Sequence, residues 1–268
     1  MKTATRLISS AVLLTSAFFV SSALACNTTA WDGGVADATA GDPTADGIAR
    51  VSGLCGMKVT ATDGHVADNS PTDEATFISR FYFFPNNIAA GSHEIFVALS
   101  DQADNNSDVF VISYDSGNIT VDASAAGGNS VTVAADPTHW NLVEVAWTSG
   151  GTGELWVNSD ALVDTATDTF TPGTGSIDRV VMGGPDGALF DDYESHRSLA
   201  VGALLVGDSN NDGQVNGLDI SGILKEANFF DPKLQDGTPD CNLDGSVNGL
   251  DISGILKAAD FFDPIPCA

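Results

Sequence analysis

A chain of 268 residues has room for one β domain and a small second module. With 36 Asp and Glu against 10 Lys and Arg, its formal charge of −26 makes nucleic acid and anionic membranes poor partners. Acid enters mostly as Asp, in turns and loops, which suits a β-rich protein working outside the cell.

The chain opens with a short basic region, Lys2 and Arg6, an apolar run LISSAVLLTSAFFV, and Ala23-Leu24-Ala25 ahead of Cys26. This is the pattern of a secretory signal peptide over residues 1–25. It implies an extracellular protein, free or associated with the cell surface, with no transmembrane segment once the signal is removed. Cys26 at the first mature position allows a lipoprotein, although Ala23 stands where a lipobox prefers a larger aliphatic residue. Four cysteines in an exported chain point to disulfides and admit three pairings. Their distribution favours Cys26–Cys55 near the start of the β domain and Cys241–Cys267 in the C-terminal module. No CxxC or paired His suggests zinc.

From residue 26 to about 205 the sequence has little helical periodicity and many short alternations. The expected strands are MKVTAT, ATFISRFYFF, HEIFVALS, DVFVISY, NITVDAS, NSVTVAA, WNLVEVAWT, GELWVN, SIDRVVMGG, ALFDDYESHR and, last, LAVGALLVG. Turns such as DSGN, AAGGNS, TSGGTGE and GGPDGA divide them, predicting an antiparallel β-sandwich. Alternation places Val143, Val145 and Trp147 inward and Glu144 outward. The succession HWNLVEVAWTSGGTGELWVNSD, SIDRVVMGG, GALFDDYESHR resembles the second half of laminin-G-like, concanavalin-type jelly rolls. That resemblance implies a jelly-roll sandwich and a carbohydrate or surface ligand.

Catalytic signals in this region are few. Retaining glycosidases need two carboxyl groups roughly 5–5.5 Å apart, and the E-x-D-x-x-E run that would supply them on one strand is absent. The nearest pair is Asp192 and Glu194, expected on one strand face with Asp191 and His196 on the other. His65, His93, His139 and His196 are scattered singly, and there is no G-x-S-x-G or phosphate loop. Trp31, Tyr114, Trp140, Trp156 and Tyr193 are available for sugar stacking, against the competing reading that sandwich aromatics are core.

Residues 206–268 carry the strongest signal. DSNNDGQVNGLDISGILKEANFFDP, from Asp208, and DCNLDGSVNGLDISGILKAADFFDP, from Asp240, agree at twenty of 25 positions with a period of 32. Each opens with D-x-N-x-D-G-x-x-N-x-x-D, which sets oxygen donors at loop positions 1, 3, 5, 9 and 12 and glycine at 6, the requirement of a hard cation such as Ca²⁺. Two ions are expected. The first would be held by Asp208, Asn210, Asp212, the Gln214 carbonyl, Asn216 and Asp219 in loop 208–219. The second would take Asp240, Asn242, Asp244, the Ser246 carbonyl, Asn248 and Asp251 in loop 240–251. Val215 and Val247 at position 8 are where paired loops touch. A short amphipathic helix follows each loop, and Phe229–Phe230 and Phe261–Phe262 add bulk before Asp-Pro ends it.

No helix leads into either loop, and the closing residue is Asp. The unit therefore resembles the duplicated repeat of a dockerin domain. The resemblance implies docking to a cohesin-like partner in a polysaccharide-degrading setting, through helix-face residues Ser221, Gly222, Lys225 and their copies Ser253, Gly254, Lys257, in either of two orientations.

The fold expected is therefore mainly β, an antiparallel jelly-roll sandwich over 26–205 followed by a small α-helical calcium-loop module over 206–268. The function expected is that of a secreted calcium-binding, dockerin-containing protein whose sandwich binds carbohydrate or a surface without catalysis. A glycoside hydrolase using Asp192 and Glu194, and a structural or adhesion protein, are the alternatives.

Overall fold

The computed structural model describes residues 27, 28, 31, 33–36, 38–41, 46–104, 106–211, 213–226 and 237–258. The expected signal peptide, Cys26, Asp212, Cys267 and both Phe-Phe pairs lie outside them.

Two seven-stranded antiparallel sheets face each other. The first contains β1 (Gly33–Ala36), β4 (Gly64–Asp68), β6 (His93–Leu99), β7 (Asp108–Asp115), β8 (Asn118–Asp122), β9 (Ser130–Ala134) and β13 (Arg179–Gly184), in spatial order β1-β4-β13-β6-β7-β8-β9. The second contains β2 (Ala38–Gly41), β3 (Gly56–Val59), β5 (Thr76–Phe84), β10 (Asn141–Thr148), β11 (Gly153–Val157), β12 (Asp168–Phe170) and β14 (Leu189–His196), ordered β12-β11-β10-β5-β14-β3-β2. Two helices follow, α1 (Asp219–Glu226) and α2 (Gly249–Ala258). The mainly β sandwich with a small helical module matches the expected class.

Alternation builds the core between the sheets. Phe77, Phe81 and Phe83 of β5, Phe96 of β6, Phe110 of β7 and Val143, Val145 and Trp147 of β10 are all fully enclosed there, as period-two patterning requires. The DSGN signal forms a two-residue turn between β7 and β8, with positive φ at Ser116 (50°) and Gly117 (89°), the conformation whose twist suits a hairpin. Four strands, β1, β2, β4 and β12, are three to five residues long and had no distinct alternation in the sequence.

One expected strand is absent. LAVGALLVG, residues 199–207, has no strand assignment and instead crosses the outer face of the second sheet as an irregular strap. Three of its N–H groups are met by side chains of that face, not by a neighbouring strand. The carboxylate of Glu144 accepts from Val201 N and Gly202 N, both at 2.8 Å, and the Tyr82 hydroxyl accepts from Leu204 N at 3.0 Å. Glu144 does point away from the core as expected, yet it is completely buried, because the strap lies over it.

The same face receives the C-terminal module. Ile48, Val51, Tyr82, Trp140, Leu142 and Leu189 form a second apolar cluster with Leu243 of loop 240–251 and with Leu204 and Val206 of the strap. Trp140 N donates to the Leu243 carbonyl at 2.8 Å. A third, much smaller cluster joins Ile223 of α1, Cys241 and Ile255 of α2, with Val215 and Val247 packed against it. Among the described residues this cluster is small, and the module also leans on the sandwich. Its attachment to the sandwich is reinforced by Arg50, whose Nη2 donates to both carboxylate oxygens of Glu226, at 2.8 and 2.7 Å, with both side chains almost fully enclosed.

Removing one member of such a pair leaves a buried charge without its counterion. Arg50→Ala is expected to lower unfolding stability by about 3–5 kcal/mol, read from the denaturant midpoint of the calcium-loaded chain.

Candidate functional site

The two loops are built alike, atom by atom. At position 1, Asp208 Oδ2 accepts from Gly213 N at 2.7 Å, and Asp240 Oδ2 from Gly245 N at 2.8 Å. At position 12, Asp219 Oδ2 accepts from Asn216 N at 2.8 Å, and Asp251 Oδ2 from Asn248 N at 2.7 Å. The Oδ1 atoms of these closing residues take Asn210 N and Asn242 N. Gly213 and Gly245 share a φ of 83°, the left-handed conformation that the turn at position 6 demands. Asn216 and Asn248 at position 9 accept from Leu218 N and Leu250 N and start each exit helix.

Charge and burial decide what such loops can hold. Asp208, Asp219, Asp240 and Asp251 are all buried, and among the described residues no ion pair involves Asp219, Asp240 or Asp251. Burial, with the charges of Asp251 and Asp244, pushes Asp240 up to about 8 against the Gly245 hydrogen bond. Burial likewise raises Asp251. Carboxylates crowded out of water in this way are compensated by a bound cation. The donors are all oxygen, as Ca²⁺ prefers. Among the described residues, no three His, Cys, Asp or Glu side chains converge into a cage. The expected ligand sets depend also on Asn and backbone oxygens and, in the first loop, on Asp212.

Of the expected docking residues, Ser221, Lys225 and Ser253 are exposed, whereas Gly222 is buried against the module's interior and so leaves the surface set. The Lys257 side chain lies outside the described residues. Helical spacing counts Leu218 and Leu250 with the apolar face of each exit helix, but they occupy position 11 of the two loops and are 65% and 63% exposed. They stand at equivalent places, three residues before each Ser-Gly.

On the sandwich, Asp192 and Glu194 do meet, but around a cation. Arg80 Nη2 lies 2.6 Å from Asp192 Oδ2, a charge contact without hydrogen-bond geometry, and 3.2 Å from Glu194 Oε2. Arg80 is itself paired in register with Glu144 on one side and Glu194 on the other. A bulge between Asp191 and Glu194 produces this arrangement, with Asp192 at φ 50°. His196, expected on the opposite face, is instead 2.9 Å from Glu194 Oε1, as the i, i+2 spacing dictates. His65, His93 and His139 each engage a nearby residue.

Tyr114, Trp140 and Trp156 are buried. Trp31 and Tyr193 remain half-buried, their rings 5.1 Å apart beside a cleft of about 590 Å³ that Asp68, Asp191 and Asp192 also line. Tyr193 donates to Asp68 at 3.1 Å. Cys55, on the same cleft, and Cys241 are both disulfide-bonded.

Residues 206–258 match the family model of the Dockerin type I domain. The C-terminal repeats are of dockerin type, a calcium-binding class of module that docks onto cohesins. No curated protein matches the chain. Among solved structures, Cellulose induced protein, Cip1, is similar at a TM-score of 0.46 with 18% identity, covering 68% of this chain and 92% of that one. A Trypanosoma rangeli sialidase gives 0.40 and 12%, covering 53% and 25%. The Botulinum Neurotoxin Type G Receptor Binding Domain gives 0.38 and 10%, covering 59% and 42%. The chain thus spans less than half of the neurotoxin domain and a quarter of the sialidase. Among the described residues, no helix is long and apolar enough to cross a membrane.

Burial pushes the Asp191 carboxyl up to about 7, against hydrogen bonds from Ser52 N and Val51 N. The native state therefore keeps a proton that the unfolded chain releases near its ordinary value of 3.8. Stability should fall as pH rises from about 4 through 7 and level off above. Thermal melts in saturating calcium should register this decline, and Asp191→Asn should flatten it.

Proposed function

We propose that the chain is an exported, calcium-folded docking protein whose sandwich presents a carbohydrate or surface ligand and performs no hydrolysis. Residues 1–25 are its signal peptide, 26–205 its sandwich and 206–268 its dockerin-type module, with disulfides Cys26–Cys55 and Cys241–Cys267. The observation that carries this reading is the pair of equivalent acidic loops inside the segment that matches the dockerin model, each with a buried closing carboxylate that has no ion-pair partner among the described residues. Each loop takes one Ca²⁺ through the residues named from the sequence, giving two ions per chain. The cohesin-like partner is met by Leu218, Ser221 and Lys225 or by their copies Leu250, Ser253 and Lys257. The half-buried Trp31–Tyr193 pair with its neighbouring carboxylates is a platform suited to a polysaccharide.

Asp219→Ala and Asp251→Ala should each remove about one bound ion in titration calorimetry, and the double variant should no longer capture a cohesin. Two ions retained in both single variants would show that the ligands were misassigned. Because Leu243 and Glu226 are part of the seam with the sandwich, chelation should also lower the melting temperature of the sandwich, not only unfold the module.

The hydrolase alternative has a direct test. Asp192 and Glu194 share a single guanidinium, that of Arg80, at 2.6 and 3.2 Å, an arrangement that supports a fastening role over a catalytic one. Sugar release from a panel of β-glucans should be absent from the calcium-loaded chain and from the Asp192→Asn/Glu194→Gln variant alike. Turnover that vanished by several orders of magnitude in that variant would establish the enzyme.

A further inference from the structure

A second cleft, of about 780 Å³, lies where the outer face of the second sheet, the strap and loop 240–251 meet. Its lining holds polar groups with unspent hydrogen-bonding capacity. Trp140 is only 2% exposed, yet its indole N–H has no partner among the described residues. Buried indoles ordinarily find one. The Tyr82 hydroxyl accepts from Leu204 N, and its own hydrogen has no acceptor among the described residues. The same cleft contains two carboxylates that are half spent. Asp164 uses Oδ2 for Asp160 N, and Asp160 uses Oδ1 for Leu162 N and Ala203 N. Their second oxygens carry no hydrogen bond among the described residues.

Spare donors and spare carboxylate acceptors in one cleft define the chemistry of an occupant. An anion is repelled by the two aspartates, and a cation leaves the indole and phenol hydrogens unmet. A hydroxyl group both accepts and donates, so it can satisfy both sets. Val163 and Leu205, 78% and 50% exposed, add apolar surface for C–H faces. We propose that this cleft binds a neutral sugar residue and is complete only when the second calcium loop is folded. The site rests on the carbohydrate reading given above but is separate from the Trp31–Tyr193 cleft.

The dependence on calcium follows from what forms the wall. Asn242 and Leu243, at positions 3 and 4 of the second loop, line the cleft. Leu243 sits at φ 56°, a conformation costly for a leucine, and in it offers its carbonyl to Trp140 N. Gly245 follows so close to the sheet that a Cβ there would fall 2.8 Å from the Phe84 ring. Unfolding this loop therefore removes one side of the cleft and the contact that holds the Trp140 backbone.

The test is calorimetric binding of neutral gluco-, xylo- and manno-oligosaccharides to the full-length chain, with calcium and with chelator. Trp140→Phe removes the N–H and keeps an aromatic ring. Asp164→Asn neutralises an exposed carboxylate without threatening the fold. Each is expected to weaken binding about tenfold, and chelation to abolish it. Binding that ignored both substitutions and the chelator, yet was lost in Trp31→Ala, would overturn the seam site while leaving the carbohydrate reading intact. Failure of the whole panel to bind would overturn both.

Discussion

The outer face of the second sheet is covered by the protein's own chain, and most of the architecture depends on that cover. Glu144, Arg80 and Tyr82 stand on this face, where water would normally solvate them. The strap converts them into buried anchors. Glu144 takes two strap N–H groups, Arg80 donates to the Gly202 carbonyl at 3.2 Å, and Tyr82 receives Leu204 N. Each of the three side chains thereby gains a partner in the strap, which lowers the cost of burying it. The cover also makes β5 enclosed on both faces instead of alternating. The route of the strap across the sheet delivers residue 207 directly to the first calcium loop, so no free linker separates the two parts.

That short path gives the C-terminal module its support. Its own cluster around Ile223, Cys241 and Ile255 is small, while Leu243 and Glu226 draw on the sandwich for apolar contact and for a counterion. Metal binding and module folding are linked because ligands gathered around an ion cannot stay unfolded. Here the linkage extends further, since part of the folded loop is a wall of the sandwich's seam. Calcium therefore acts on both parts of the chain, and the sandwich in turn favours the folded loop by holding Leu243 in its left-handed conformation.

The two equivalent acidic loops were legible in the sequence because their donors recur at fixed intervals along one short segment, and duplication repeats them. The central strands were legible for a similar reason, since period-two alternation is local. LAVGALLVG misled because an apolar run bounded by turns reads the same whether it pairs as a strand or lies flat over a sheet. Gly202, at φ 85°, is where it departs from strand geometry. The bulge at Asp192 and the contact of Arg50 with Glu226, 176 residues apart, could not be read locally. Nor could the difference between Trp140, enclosed by a loop a hundred residues later, and Trp31, left half-buried. In each case tertiary contact, not propensity, fixes the outcome.

The Arg80 cluster connects these points. A strand carrying Asp192, Glu194 and His196 has the residue types of an acid–base site, and sequence alone cannot separate that reading from an ion-pair lattice. Glu144, Arg80 and Glu194 fall in one row across β10, β5 and β14, and the guanidinium lies 2.6 Å from Asp192 and 3.2 Å from Glu194. Its Oε2 taken by Arg80 and its Oε1 by His196, Glu194 has both oxygens engaged. Through Arg80 and His196 the same row reaches the strap, at the Gly202 and Leu199 carbonyls.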